Sequence, residues 1–274
     1  MKIRCLSVFR EITNSPHREN DDALILKGVS DELIKLGVSV YLIEPEIIDE
    51  VVNEKWSCVI PMCENPENLE KISKIDAVFV NTVDSVYNCY RRNMFRLIMK
   101  NCPEIFPETE IRDMKDFPGI PPYFYDSRGV WIKRGDVHNT CLHDVHYVKK
   151  WEDAFKVKED FEKRNIKDVL IQKHIEGDLI KFYGVGPGRW FTWFYHKPQV
   201  ARKYPFNQDK LAENAARFAS AVGVEVFGGD AIITSQQKIY IIDINSWPSF
   251  ARVRDEAKKH IAKHIFSKFT KEEK

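Results

Sequence analysis

The stretch from Phe227 to Phe250 sets oxygen donors inside two apolar runs: Asp230 ahead of Ala-Ile-Ile, and Asp243 and Asn245 within Ile-Tyr-Ile-Ile-Asp-Ile-Asn. A carboxylate is disfavoured in a strand and costly to bury unless it is paired or bound to a metal. The polar turn Thr234-Ser235-Gln236-Gln237 predicts a hairpin of Asp230–Ile233 against Lys238–Ile244. Alternation along the second strand puts Ile239, Ile241, Asp243 and Asn245 on one face, and Tyr240, Ile242 and Ile244 on the other. Asp243 and Asn245 then stand roughly 7 Å apart along the strand, with Asp230 across the hairpin. Two carboxylates and an amide oxygen suit a hard cation such as Mg²⁺, which completes its shell with substrate phosphate and water. Taken singly, an Asp can cap a turn and an Asn can end a strand; the three together point to a metal.

The elements around this hairpin follow from periodicity. Lys2–Phe9 reads as a strand, Asp22–Leu36 as a helix ended by Gly37, and Ser39–Ile43 as the next strand, a βαβ pattern on a parallel sheet. Asp76–Asn81 reads as a further buried strand, which closes a small α/β domain over residues 1–87. Asn88–Lys100 is a basic helix, and prolines at 103, 107, 118, 121 and 122 mark a loop-rich joint. Strands follow at Val130–Lys133, Val169–Lys173, Leu179–Val185 and Arg189–Tyr195; helices follow at Trp151–Arg164, Gln208–Val222 (ended by Gly223) and Arg254–Lys268. Antiparallel hairpins among helices make residues 88–274 α+β rather than a second doubly wound sheet. The aromatic run Trp190-Phe191-Thr192-Trp193-Phe194-Tyr195 could stack on nucleobases, but it reads as core packing.

Composition narrows the classes. The chain has 274 residues, 43% of them hydrophobic, with 42 Lys+Arg against 41 Asp+Glu. That balance gives no basic field for nucleic acid, and no run is long and apolar enough for a membrane span. The six cysteines form no Cys-x-x-Cys pair, so the expectation is reduced thiols and a cytoplasmic setting. The opening Met-Lys-Ile-Arg-Cys-Leu lacks the apolar stretch of a signal peptide.

Asp230, then Asp243-Ile244-Asn245 and a proline, resembles the metal hairpin of ATP-grasp enzymes. Val130-Trp131-Ile132-Lys133 resembles the strand whose lysine binds the α-phosphate. Val169 to Asp178 (VLIQKHIEGD) resembles the adenine hinge. The three pieces come in the family's order and cover residues 88–266. The resemblance implies an ATP-grasp fold with an N-terminal Rossmann-like α/β domain that binds the acceptor. It further implies a small nucleotide lobe over about 108–175 and a metal-bearing lobe over about 176–274. It implies ATP with one or two Mg²⁺ held by Asp230, Asp243 and Asn245. The nucleotide is expected to meet Arg92, Lys133, Gln172, Lys173, His174, Ile175 and Asp178; Asp178 or Glu176 would take the ribose hydroxyls. Arg92 stands where the family has its first ATP lysine.

The resemblance carries two chemistries. ATP-grasp enzymes mostly join a carboxylate to an amine through an acyl phosphate, and this chain is similar to ribosomal-protein glutamate ligases and glutathione synthetase-like enzymes. A minority are kinases, and His138 and His143 after Lys133, with Lys181, resemble inositol trisphosphate kinases. The ligase is the first reading and the kinase the alternative. Lys133, Arg252 and His138 are the candidate catalytic residues. Both chemistries want a small anionic acceptor, for which Arg18, His138, His143, Lys181, Arg189 and Arg252 are the candidate contacts. The segment from Arg134 to His146 is expected to move over the phosphates.

Overall fold

The computed structural model describes residues 3–14, 19–137 and 141–270. The first βαβ unit forms as its pattern requires. Strand β1 (Arg4–Val8), helix α1 (Glu19–Lys35) and strand β2 (Ser39–Ile43) pair in parallel register from Arg4 opposite Ser39 to Val8 opposite Ile43. Gly37 ends the helix with φ +85°, a conformation other residues adopt only with strain, and its N–H meets the Ile34 carbonyl. Helix α2 (Ile48–Val51), strand β3 (Cys58–Pro61), helix α3 (Pro66–Ile72), strand β4 (Val78–Phe79) and helix α4 (Val83–Asn88) complete a parallel sheet of order β2-β1-β3-β4. Strand β4 is shorter than the expected Asp76–Asn81, and Asn81 beyond it bonds to a distant part of the chain. Its buried amide donates to the Val226 carbonyl and Ser246 Oγ, and its Oδ1 accepts the Glu225 and Val226 N–H groups.

The basic helix begins later than its composition suggests. Tyr90 is extended, and α5 covers Arg91–Asn101. Beyond it, β5 (Thr109–Asp113), β6 (Val130–Arg134), β7 (Val145–Val148), helix α6 (Ala154–Lys163) and β8 (Asp168–Lys173) give an antiparallel sheet of order β5-β8-β6-β7. The edge strands β5 and β7 escape sequence reading because both are short, five and four residues, and β5 is mostly polar. Val157 and Phe161 of α6 cover Val130, Ile132, Val148, Val169 and Ile171 on one face. Both described flanks of the segment expected to be mobile bond to the rest of the lobe: the Gly135 N–H donates to the Asp168 carbonyl at 2.8 Å, and fully buried Asp144 pairs with Arg164 and accepts the Cys141 N–H.

A third sheet carries the metal hairpin. Strands β9 (Asp178–Val185) and β10 (Trp190–Tyr195), helix α7 (Gln208–Val222), and strands β11 (Val226–Ile233) and β12 (Ile239–Ser246) give the antiparallel order β10-β9-β11-β12. Helices α5 and α7 cover one face, with Ile98, Leu211 and Phe218 against Phe182, Phe227, Ile241 and Ile244. The aromatic strand β10 is core on both sides: Phe191 and Trp193 join that cluster, while Trp190 and Phe194 join the one around Phe250. Helix α8 (Arg254–Ser267) returns to the beginning of the chain, where Ala257, Ile261 and Ile265 share a core with Ile25, Val29 and Leu33 of α1. Packing is therefore continuous across residues 87 and 88. Among the described residues no helix is long and apolar enough to cross a membrane.

Candidate active site

The β11–β12 hairpin is not regular. Asp230 lies opposite Asp243, but Ala231 lies opposite Ile241, so Ile242 is an extra residue on β12. Such a bulge resets the alternation. Ile241 and Ile244 are both fully buried in the core with Ile239 packed beside them, whereas Ile242 and Asp243 line the cleft on the opposite face. Simple alternation, which grouped Ile239 and Ile241 with Asp243, fails for this reason. Gly229 permits the distortion: a Cβ there would lie 2.3 Å from the Asp243 carbonyl oxygen and 2.4 Å from the Phe182 ring.

The three oxygen donors differ in their pairing. Asp230 sits in register with Lys181 of β9 and receives its Nζ at 2.9 Å. Asp243 has the Arg91 guanidinium at 3.9 Å. The Asn245 Oδ1 is buried with no hydrogen-bond partner, although a buried carbonyl oxygen normally has one. Two carboxylates and an orphaned amide oxygen fit a hard divalent cation. Among the described residues no three His, Cys, Asp or Glu side chains form a metal site by themselves.

The opposite wall comes from the second sheet. Trp131, Lys133 and Gln172 point away from the α6 core into a cleft of about 330 Å³, closed on the other side by Leu179, Asp230, Ile232, Ile242 and Asp243. Lys133 Nζ donates to Gln172 Oε1 at 2.8 Å and approaches the Ile242 carbonyl at 3.5 Å, so one lysine spans both sheets. Burial pushes it down to about 8, with Arg91 adding to the effect and Asp243 and Asp230 opposing it. Further along, Trp131, Tyr147 and His174 form an aromatic ledge: Trp131 is 5.2 Å from Tyr147 and its Nε1 donates to His174 Nδ1 at 3.0 Å. Burial chiefly holds His174 below its ordinary value, which favours the neutral ring that can accept that bond. A flat apolar slot ending in cations and carboxylates suits a planar base joined to phosphates.

Several residues singled out in the sequence stand elsewhere. Arg92 is ion-paired to Asp168 and borders a groove outside the cleft, beside Phe95 and Thr109. Its neighbour Arg91 is the cation that reaches the cleft. Helical phase carried that signal, because Arg91, Met94 and Ile98 share the buried face of α5. Asp178 is committed to the fold: it is buried, and its two oxygens accept the Arg202 and Tyr204 N–H groups at 2.6 and 2.9 Å. Glu176 instead lines the polar groove beyond Ile175. Lys173 lines the cleft but ion-pairs with Glu108.

Arg189 bonds Ser267 Oγ at 3.1 Å and borders a different groove, beside α7. His143 is exposed, its ring 6.5 Å from that of His146, which packs on Phe161 on the α6 side of the sheet. Arg252 lies over the Phe194 ring at 4.4 Å. Burial holds His196 below its ordinary value; Lys181, Lys197 and Arg252 add to this and Asp230 opposes it, so the ring lies within the field of these charges. Arg18 and His138 lie outside the described residues.

No family model and no curated protein matches this sequence. Solved structures do. The D-Ala:D-Ser ligase VanG from Enterococcus faecalis superposes with a TM-score of 0.72 at 12% identity, over 98% of this chain and 100% of that one. A RimK domain protein ATP-grasp from Sphaerobacter thermophilus gives 0.69 at 12% identity, over 96% and 98%. A D-alanine–D-alanine ligase from Bacillus anthracis, solved with ATP, gives 0.68 at 9% identity, over 97% and 95%. The likeness spans three sheets, the cleft between the second and third, and almost every residue of the partners. This chain has the ATP-grasp fold.

Proposed function

We propose that the chain is a carboxylate–amine ligase that binds Mg-ATP between its second and third sheets. The observation that carries this reading is Lys133. It is a buried lysine spanning both walls of the cleft that Asp230 and Asp243 also line, and the unpaired Asn245 oxygen lies two residues beyond Asp243 on β12. Trp131, Tyr147 and His174 would hold the base, with backbone groups of Lys173–Ile175 at its edge. Lys133 and Arg91 would hold phosphate oxygens, and Gln172 orients Lys133. Asp230, Asp243 and Asn245 would hold one or two Mg²⁺, which when bound would spread charge over the transferred phosphoryl group.

The basic side chains of Lys181, His196, Lys197 and Arg252 support a small anionic acceptor, which residues 1–87 would help to bind. An acceptor carboxylate oxygen bonds to the γ-phosphorus while the bond to the bridging oxygen breaks and ADP leaves. The amine then attacks the acyl carbon, inorganic phosphate departs with the C–O electron pair, and the nitrogen gives up a proton. The chain's own groups act by positioning and by electrostatics. The fold neighbours bear the names of ligases, which supports this chemistry over phosphoester formation.

The test is ³¹P NMR with Mg-ATP and pooled amino acids and short peptides, or pooled inositol phosphates. ADP and free phosphate, formed only with carboxylate and amine together, are expected. A new phosphoester signal without free phosphate would assign a kinase and overturn the ligase.

A further inference from the structure

The end of the metal strand is held from the far side of the molecule. Arg10 follows β1, and its side chain crosses to β12: Nη2 donates to the carbonyls of Ser246 at 3.2 Å and Trp247 at 2.7 Å. Nε donates to the Met62 carbonyl at 3.3 Å, Nη1 to Asp22 at 3.2 Å, and Nη2 stands 3.2 Å from Glu64. One planar guanidinium thus joins the carboxyl ends of β1 and β3, the first turns of α1, and the two residues that follow Asn245. Two more contacts fix the same segment: Asn81 donates to Ser246 Oγ at 2.9 Å and the Trp247 indole donates to the Val80 carbonyl at 2.9 Å. The Asn245 oxygen itself has no hydrogen-bond partner, so its position depends on the backbone that carries it. That backbone is anchored one residue later by Arg10.

We infer that Arg10 is a positioning residue for the Asn245 metal donor, so that the N-terminal sheet sets the cation affinity of the cleft. This rests on the metal reading above. The carboxyl ends of β1 and β3, between which the strand order reverses, are where open parallel sheets usually present ligand groups. Here that crevice is occupied by an internal cation that braces the active strand. A lysine cannot reproduce the fork, because it offers a point charge where three carbonyls and two carboxylates must be spanned.

The experiment titrates Mn²⁺ alone into the full chain and reads free Mn²⁺ by electron paramagnetic resonance, with thermal melting in parallel. Arg10→Lys should raise the Mn²⁺ dissociation constant roughly tenfold or more, as loss of groups supporting a metal ligand typically does. Glu64→Gln keeps the side-chain shape and loosens the guanidinium; it should move the constant in the same direction by less, and it decides the matter if Arg10→Lys does not fold. Leu33→Ala, in the α1 core, should lower the melting temperature and leave the constant unchanged. Equal Mn²⁺ binding by the folded Arg10 and Glu64 variants would overturn the role of Arg10 alone. Absence of Mn²⁺ binding by the unaltered chain would overturn the metal reading and this inference with it.

Discussion

Arg10 and Lys133 are both cations removed from water, and their surroundings push them in opposite directions. Burial opposes the charge on Arg10, yet Glu64, Asp22 and Glu11 outweigh it and hold the guanidinium above its ordinary value. Burial wins at Lys133 and brings it to about 8, since Arg91 repels it and the aspartates offset too little. Around Arg10 the polar groups are used up: Glu11 accepts the Glu64 and Asn65 N–H groups and the Asn68 amide as well. Lys133 holds only Gln172 closely, and on β12, two residues beyond the Asp243 that shares its cleft, an amide oxygen stays unpaired. A saturated network fixes a scaffold, and an unsaturated one holds charge ready for a ligand.

The largest effect that sharpens this contrast is expected at Asp243. Asp243→Asn should cut ATP turnover by roughly 10³-fold, because a charge that clamps phosphate through metal is lost, while the thermal melt stays within a few degrees. Unchanged turnover would remove the cleft from the chemistry.

Next in size is the pair of neighbours on α5. Arg91→Met should lower kcat/KM for ATP roughly 100-fold, in keeping with about 3 kcal/mol for a buried charge-assisted contact. Arg92→Ala should leave kcat/KM within about twofold and lower the melting temperature, since it strands Asp168. The reverse ranking would return the nucleotide contact to Arg92.

The smallest effect is a pH dependence with two signs. The unfolded chain keeps a proton on Lys133 up to its ordinary 10.5, whereas the folded chain releases it near 8. Across that window the unfolded state binds more protons, so this residue makes stability rise with pH. Affinity for ATP should fall over the same window by up to about tenfold per pH unit as the cation is lost. Lys133→Met should abolish both trends and raise the melting temperature near pH 7, because a desolvated charge is gone. An ATP affinity flat from pH 7.5 to 9.5 in the unaltered chain would count against a phosphate role for Lys133.

Much of the fold was legible. The βαβ start, the hairpin across Thr234–Gln237, and helices ending at Gly37 and Gly223 follow from periodicity and from glycines at positive φ. Strands β5 and β7 were not: Thr-Glu-Ile-Arg-Asp has little apolar signal, and Val-His-Tyr-Val is only four residues long, and both are edge strands. At the site, the residue types of Asp230, Asp243, Asn245 and Lys133 and their order along the chain were enough to suggest a metal and a phosphate cation.

Residue type alone could not place Arg91 over Arg92, nor commit Asp178 to the Arg202–Tyr204 loop. Nor could it show the bulge at Ile242, because a bulge is set by the partner strand and by the space that Gly229 leaves, not by the strand's own pattern. The sequence determined which groups could do chemistry, because composition and spacing are local. The tertiary structure decided which of them meet, because a charge acts through what surrounds it. Arg10, far from β12 in the chain, reaches the residue beside Asn245 only after the N-terminal sheet, α8 and the third sheet have packed into one core.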